Sequence, residues 1–238
     1  MEVKYIHIKE EHNTIAASLV LPLIFNIIRP ISMLDIGCGI GTWLSMAKSL
    51  GVDHIFGIDG AYVNIELLEE HISSKEFLSH DLNSPIDLGK KFNMVVCLEV
   101  AEHLPEASAA VLVESLIRHS DVILFSAAIP GQGGQNHLNE QWPEYWAHLF
   151  EEHEYVFLDI IRPLIWDNSD VDFWYKQNIF LVVKSNHELA SKYAHSHISL
   201  IHPELFIRVN QNKDKQINSL KKQLAIHPLK RWIKSILK

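Results

Sequence analysis

Met33-Leu34-Asp35-Ile36-Gly37-Cys38-Gly39-Ile40-Gly41-Thr42 decides the fold. The apolar run reads as a short strand, the glycines as a tight turn, and Trp43 to Leu50 as a helix whose start faces whatever the turn holds, with Gly51 as its stop signal. Glycines let the backbone bend sharply and approach a ligand that a Cβ atom would push away. Their spacing is Asp-x-Gly-x-Gly-x-Gly, whereas the dinucleotide fingerprint Gly-x-Gly-x-x-Gly would need glycine where Thr42 stands. A nucleoside is therefore a better expectation than a pyrophosphate. A purely structural strand-to-helix turn would use the same glycines, so the downstream residues decide between the two.

The motif resembles that of class I S-adenosylmethionine-dependent methyltransferases, in which an acidic residue and Gly-x-Gly-x-Gly follow the first strand. The resemblance implies an α/β, Rossmann-like fold: a seven-stranded, mostly parallel sheet flanked by helices. It also places Asp35, Gly37, Cys38 and Gly39 under the amino-acid end and ribose of the cofactor.

Composition bounds the reading. The 238 residues, 47% hydrophobic and 21% charged, suit one globular domain with a full core and an appendage. Cys38 and Cys97 offer no disulfide framework, and neither a signal-peptide pattern nor a long apolar span is present, so a cytoplasmic protein is expected. The net charge of −8 disfavours a nucleic-acid partner. Residues 210–238 are the exception, with eight Lys/Arg against the single acid Asp214.

Along the chain, apolar residues from Ile15 to Ile27 recur at helical steps, uneven at Pro22, and Pro30 ends them. His54-Ile-Phe-Gly-Ile-Asp59 reads as a second strand ending in an acid. About 20 residues after a glycine loop is where a ribose ligand is expected, and a carboxylate can accept from both ribose hydroxyls, so Asp59 with Gly60 joins the cofactor set. A helix from about Val63 to Ser73 and a short strand near Phe77 lead to Asp81-Leu82, the place where the resemblance implies adenine contact. Phe92 to Leu98, nearly all apolar, reads as a parallel strand buried on both faces.

Off that strand comes Glu99-Val-Ala-Glu102-His103-Leu-Pro105. On a helical turn, positions 99, 102 and 103 would share one face at the carboxyl end of the sheet. The run resembles the Glu-x-x-Glu-His of small-RNA 3′-terminal 2′-O-methyltransferases, and some ubiquinone-pathway O-methyltransferases carry a similar one. That resemblance implies a divalent metal held by Glu99, Glu102, His103 and His137, with Mg²⁺ or Mn²⁺ ahead of Zn²⁺. Two other readings stay open: His103 as a metal-free general base oriented by Glu102 or Glu99, or a mere helix start with Glu99 touching cofactor. The catalytic candidates are His103, Glu102 and His137.

Ala107 to about His119 reads as a helix, and Asp121 to Ser126 as the fifth strand. Ile129-Pro-Gly-Gln-Gly-Gly-Gln135 follows as an active-site cover or a flexible connection. His137, Asn139, Glu140, Gln141 and Trp142 are expected beside the methyl group, with Trp146 in the core of a helix from Trp142 to Glu152. Strands six and seven are Tyr155 to Ile161 and Asn178 to Lys184, the latter antiparallel near the sheet edge. The aromatic and acidic stretch between them suits a sugar pocket or a packed lid, and residues 30–185 resemble bacterial methyltransferases of surface-polysaccharide and secondary-metabolite pathways.

After Ser185 the chain changes character. Its scattered histidines (His187, His195, His197, His202) have no metal-site spacing. Ile226 to Lys238 reads as a basic amphipathic helix for packing, protein docking or peripheral contact with the inner membrane. The expectation is a methyltransferase domain over 1–185 with a helical extension over 186–238. It would transfer methyl from S-adenosylmethionine to a hydroxyl of a glycan, nucleotide-sugar or small-molecule acceptor. The rivals are an RNA 2′-O-methyltransferase and a non-catalytic cofactor-binding partner subunit.

Overall fold

The structure, a computed structural model, describes residues 13–226. The chain divides into two compact units, Met1–Leu200 and Ile201–Lys238. The sequence changes character earlier, after Ser185; α8 (Glu188–Lys192) and a β-bridge from Leu158 to His195 lie within the first unit. In the second unit the described residues form one long helix, α9 (Pro203–Ile226). The expected basic amphipathic helix at the end lies almost wholly outside the described residues.

The first unit is built on one sheet. Its strands are β1 (Ser32–Ile36), β2 (His54–Asp59), β3 (Phe77–Ser79), β4 (Met94–Leu98), β5 (Val122–Ser126), β6 (Tyr155–Leu158) and β7 (Phe180–Lys184), in spatial order β3-β2-β1-β4-β5-β7-β6. Strands β1 to β5 pair in parallel, and β7 runs antiparallel to both β5 and β6. The seventh strand thus sits one place in from the edge, inserted between β5 and β6. Residues of β4 and β5 are buried at every position, as parallel strands covered on both faces must be.

Side-chain alternation divides the core in two. Met33, Met94, Val96, Val122, Leu124, Leu181 and Val183 face one cluster, completed by α1 (Ile15–Phe25) and α2 (Thr42–Ser49). Leu34, Ile36, Val95, Cys97, Ile123, Phe125, Phe180 and Val182 face the other, beneath α4 (Ala109–His119) and α5 (Pro143–Glu151). The two clusters interleave because successive strand residues point to opposite faces. Each large apolar side chain so buried contributes about 1.5–3 kcal/mol. Helix α4 supplies Leu112, Val113 and Leu116 at three- and four-residue spacing, the signature of one buried face.

Local structure departs from expectation in several places. The helix expected over 63–73 shortens to α3 (Ile65–Glu69), capped by Asn64, and a capping box at Ser73 and Glu76 starts a separate 3₁₀ turn before β3. Two short helices, α6 (Arg162–Ile165) and α7 (Phe173–Asn178), occupy the stretch between β6 and β7. Buried Arg162 fixes that stretch: its guanidinium pairs with Asp159, donates to the carbonyls of Gln177 and Ile198, and lies 4.1 Å from the centre of the Phe180 ring.

Strand order places the site. The chain leaves β1 towards β2 and β3, then crosses back to β4 on the other side of β1, which opens a crevice beyond the carboxyl ends of β1 and β4.

Candidate active site

At the end of β1 the glycine loop takes the conformation its composition demands. Gly37, Gly39 and Gly41 all have positive φ (+87°, +53° and +83°). A Cβ at Gly37 would lie 2.2 Å from Val100 Cγ2, so the turn packs directly against the segment leaving β4. The amides of Gly37 and Cys38 donate to the carbonyl of Ile58, which ties the loop to the end of β2 (2.7 and 3.2 Å).

Asp59 closes that end. Its Oδ2 accepts from the amide of Gly39 at 2.7 Å, while Oδ1 accepts from the amide of Gly60 at 2.6 Å and the hydroxyl of Tyr62 at 2.5 Å. The residue expected to take a ribose therefore also braces the glycine loop. Tyr62, absent from the sequence-derived set, lies across Gly60, where an added Cβ would be 2.2 Å from Tyr62 Cε1. An aromatic residue three positions beyond the acid was the available signal.

Asp35 and Asp59 are buried together. Burial raises the Asp35 carboxyl well above its ordinary range, and the Asp59 charge adds to this. The Cys38 thiol is pushed up by the same causes, burial first. Its side chain turns into the core, since a Cβ on Gly57 would be 2.7 Å from its sulfur, so only the backbone of Cys38 is available to a ligand. After β3, exposed Asp81 accepts from the amide and side chain of Asn83 at 3.0 and 2.8 Å, and these bonds lower its pKa. Leu82 beside it is buried.

The segment leaving β4 carries the densest chemistry. Glu99 adopts φ +54°, rare for a residue with a side chain, and its amide donates to the Ser126 hydroxyl and carbonyl. The following turn, Ala101–His103, is 3₁₀. Residues 99, 102 and 103 therefore do not share one helical face. The Glu99 carboxylate accepts from Gln132 Nε2 (2.8 Å) and Asn178 Nδ2 (3.1 Å), and Asn178 also donates to Gln132 Oε1 (2.8 Å). Burial raises the Glu99 pKa, and the two amide side chains offset part of that rise.

Glu102 is fully buried, and neither carboxylate oxygen has a well-formed hydrogen bond. Burial, then the neighbouring Glu99 charge, raises its pKa well above the usual carboxylate range. His103 is pushed down to about 4, chiefly by burial and then by His137, with backbone hydrogen bonding at Asn136 and Gln135 opposing the shift. Across the crevice the amides of Leu138 and Asn139 both donate to the Glu102 carbonyl (2.7 and 3.0 Å), which brings His137 onto the same turn. Ligand atoms of Glu102, His103 and His137 converge within 4.8 Å of one another.

A divalent cation fits this donor set. Two imidazoles and a carboxylate without a well-formed hydrogen bond suit Zn²⁺ or Mn²⁺, and a neutral imidazole is the form that binds metal. Glu99 stands outside the converging trio, its two oxygens held by Gln132 and Asn178.

The aromatic stretch is mainly packing. Trp43, in the first turn of α2, meets Tyr175 edge to face at 5.3 Å, and Tyr175 contacts Trp174 in turn. Asp167 and Asp170 are exposed. Trp146 is in the core against Phe125, as its helical position suggested, while Trp142 (39%) and Leu138 (66%) remain exposed on the segment pinned to Glu102.

A parallel sheet with an antiparallel seventh strand, a glycine loop braced by the acid ending β2 and a polar cluster beyond β4 together define a class I, S-adenosylmethionine-dependent methyltransferase domain. The chain belongs to the methyltransferase domain family, whose model matches residues 8–173. It is 28% identical over 131 residues to the ubiquinone biosynthesis O-methyltransferase of Bartonella quintana, covering 53% of this chain and 48% of that protein. A ribosomal protein L11 methyltransferase of Thermosipho africanus is 34% identical over 85 residues, or 34% of this chain and 32% of that protein. The chain thus spans less than half the length of either of these curated relatives. Among solved structures, a sugar N-methyltransferase from Streptoalloteichus matches with a TM-score of 0.56 at 15% identity, covering 77% of this chain and 98% of that one. The methyltransferase domain of bacterial CtHen1-C matches with a TM-score of 0.51 at 18% identity, covering 71% and 97%. These structural likenesses speak to the fold.

Proposed function

We propose that this domain transfers the methyl group of S-adenosylmethionine to a hydroxyl oxygen, and that the acceptor is a vicinal diol of a sugar or similar polyhydroxylated compound. The observation that carries the reading is the buried, unsatisfied Glu102 carboxylate converging with His103 and His137 beyond the end of β4. Burial and the Glu99 charge hold Glu102 towards its neutral form, and a divalent cation beside it would stabilise the ionised form that binds metal. Similarity to ubiquinone biosynthesis O-methyltransferases supports oxygen over nitrogen as the methylated atom.

The cofactor would lie over Gly37, Cys38 and Gly39, with its ribose at Asp59 and Gly60 and its adenine near Asp81 and Leu82. Glu99 would then touch the cofactor, its carboxylate fixed by Gln132 and Asn178. Glu102, His103 and His137 would hold a divalent ion, which when bound lowers the pKa of a coordinated hydroxyl. Holding that hydroxyl in line with the sulfonium methyl supplies much of the remaining rate through orientation. His103 as sole base is the weaker reading, because an imidazole pushed down to about 4 takes up protons poorly at neutral pH. Exposed Trp142 and Leu138 offer an apolar lip for the acceptor ring.

The test is transfer of radiolabelled methyl to a panel of sugars, nucleotide-sugars and catechols, with and without chelation. Turnover on diols that disappears with chelator and returns with Mn²⁺, Mg²⁺ or Zn²⁺ is expected. Turnover indifferent to chelation would remove the metal, and turnover confined to amines would overturn the oxygen acceptor.

A further inference from the structure

One carboxylate organises the far side of this site. Glu140 Oε2 accepts from the amide of Gly131 at 2.7 Å, and its Oε1 accepts both from the amide of Gly133 at 2.7 Å and from His137 Nδ1 at 2.8 Å. We propose that Glu140 is a positioning residue: by holding strap residues 131–133 and the His137 ring at once, it sets the tautomer and orientation of His137. This rests on the reading of His137 as part of the reaction site.

Glu140 holds the strap at its two glycines, and Gln132 anchors it between them. Gly131 and Gly133 lie at φ +89° and +66°, and a Cβ on either would meet no atom within 4 Å, so these residues contribute conformational freedom and no packing. Ordering such residues costs backbone entropy. Hydrogen bonds to a charged acceptor are stronger than neutral ones, so two amides on one carboxylate offset that cost. Between them Gln132 points the opposite way, into its bonds with Glu99 and Asn178. Residues 131 to 133 therefore bridge the two polar ends of the site, His137 on one side and Glu99 on the other.

Gly134 completes the arrangement. A Cβ there would sit 2.1 Å from His137 Nε2, so the strap backbone lies directly beside the nitrogen that Glu140 does not engage. With Nδ1 donating to Glu140, Nε2 is left as the lone-pair nitrogen for a metal or an acceptor proton. Without the carboxylate, the strap amides lose their acceptor and the imidazole loses the partner that fixes its tautomer. Glu140→Gln has one acceptor oxygen in place of two, and its amide group would face a donor.

The experiment uses the full chain treated with chelator, so it needs neither acceptor nor turnover. Nitrogen-15 imidazole spectra, with the His137 signal assigned from His137→Ala, are expected to show the Nδ1–H tautomer in the wild type and a shift to Nε2–H in Glu140→Gln. Exchange of the Gly131 and Gly133 amides should rise at least about tenfold in that variant, the equivalent of one lost hydrogen bond. Glu140→Asp keeps the charge with shorter reach and serves if Glu140→Gln does not fold; it should release one of the two amides. Where turnover is measurable, Glu140→Gln should lower kcat with little change in KM for S-adenosylmethionine. A wild-type Nε2–H tautomer, or strap amides whose exchange ignores residue 140, would overturn the inference. Absence of methyl transfer with these signatures intact would instead count against the proposed function alone.

Discussion

His103 and His137 meet edge to face, their ring centroids 4.9 Å apart and their planes at 85°. Two imidazoles so close cannot both carry charge without mutual repulsion, which disfavours the charged form of His103. Its pKa falls to about 4, from burial first and His137 second.

The consequence for stability has a definite sign. Between about pH 6.5, the ordinary histidine value, and about pH 4 the unfolded chain binds a proton at position 103 that the native state refuses. Stability from this residue is therefore present above that window and lost as the pH falls through it, by up to about 3 kcal/mol. A proton-detected titration should place the His103 midpoint near 4, and His103→Gln should unfold with a shallower acid dependence than wild type. A midpoint near 6.5 would contradict the buried geometry.

Gly37 joins two walls of the site, because its φ of +87° turns the glycine loop and its Cα lies against Val100. Gly37→Ala should cost about 1–2 kcal/mol for the left-handed backbone and a further 1–3 kcal/mol for the forced contact. Gly51→Ala separates the two parts, since Gly51 has φ +97° with no atom within 4 Å of an added Cβ. Urea unfolding should show Gly37→Ala as clearly the more damaging, with partial recovery when Val100→Ala is added. Equal losses at the two positions would mean the Val100 contact costs nothing.

Both cysteines are buried, and burial is the leading cause that pushes each thiol up. Reaction needs the exposed thiolate, so a disulfide reagent should label neither in the native protein and both after denaturation. Cys38 is the informative one, because its sulfur packs towards Gly57 although its backbone belongs to the glycine loop. Rapid native labelling at Cys38, blocked by cofactor, would mean its side chain faces the ligand.

What the sequence made legible was local. An apolar strand, glycines and a helix at 33–50 could be read because each residue's preference acts within a few positions, and β4 could be read because a strand buried on both faces has no polar side. The Glu99 expectation failed where long-range bonding overrode local spacing. Helical periodicity aligns 99 with 102 and 103, but bonds to Gln132 and Asn178, 33 and 79 residues away, hold Glu99 in a left-handed conformation instead. Glu140 and Tyr62 were visible as polar side chains, yet their partners are amides and side chains that only the folded loops bring near. The short helices α6 and α7 escaped because their 4 and 6 residues give too little periodicity to read.

The most direct test of the central claim is calorimetric titration with S-adenosylhomocysteine of the wild type and of Asp59→Ala. One molecule should bind per chain, and Asp59→Ala should weaken binding by at least about tenfold, because the substitution removes both the ribose acceptor and the brace on the Gly39 amide. Absence of binding to folded wild-type protein, or binding untouched by Asp59→Ala, would contradict a cofactor site between the glycine loop and the end of β2.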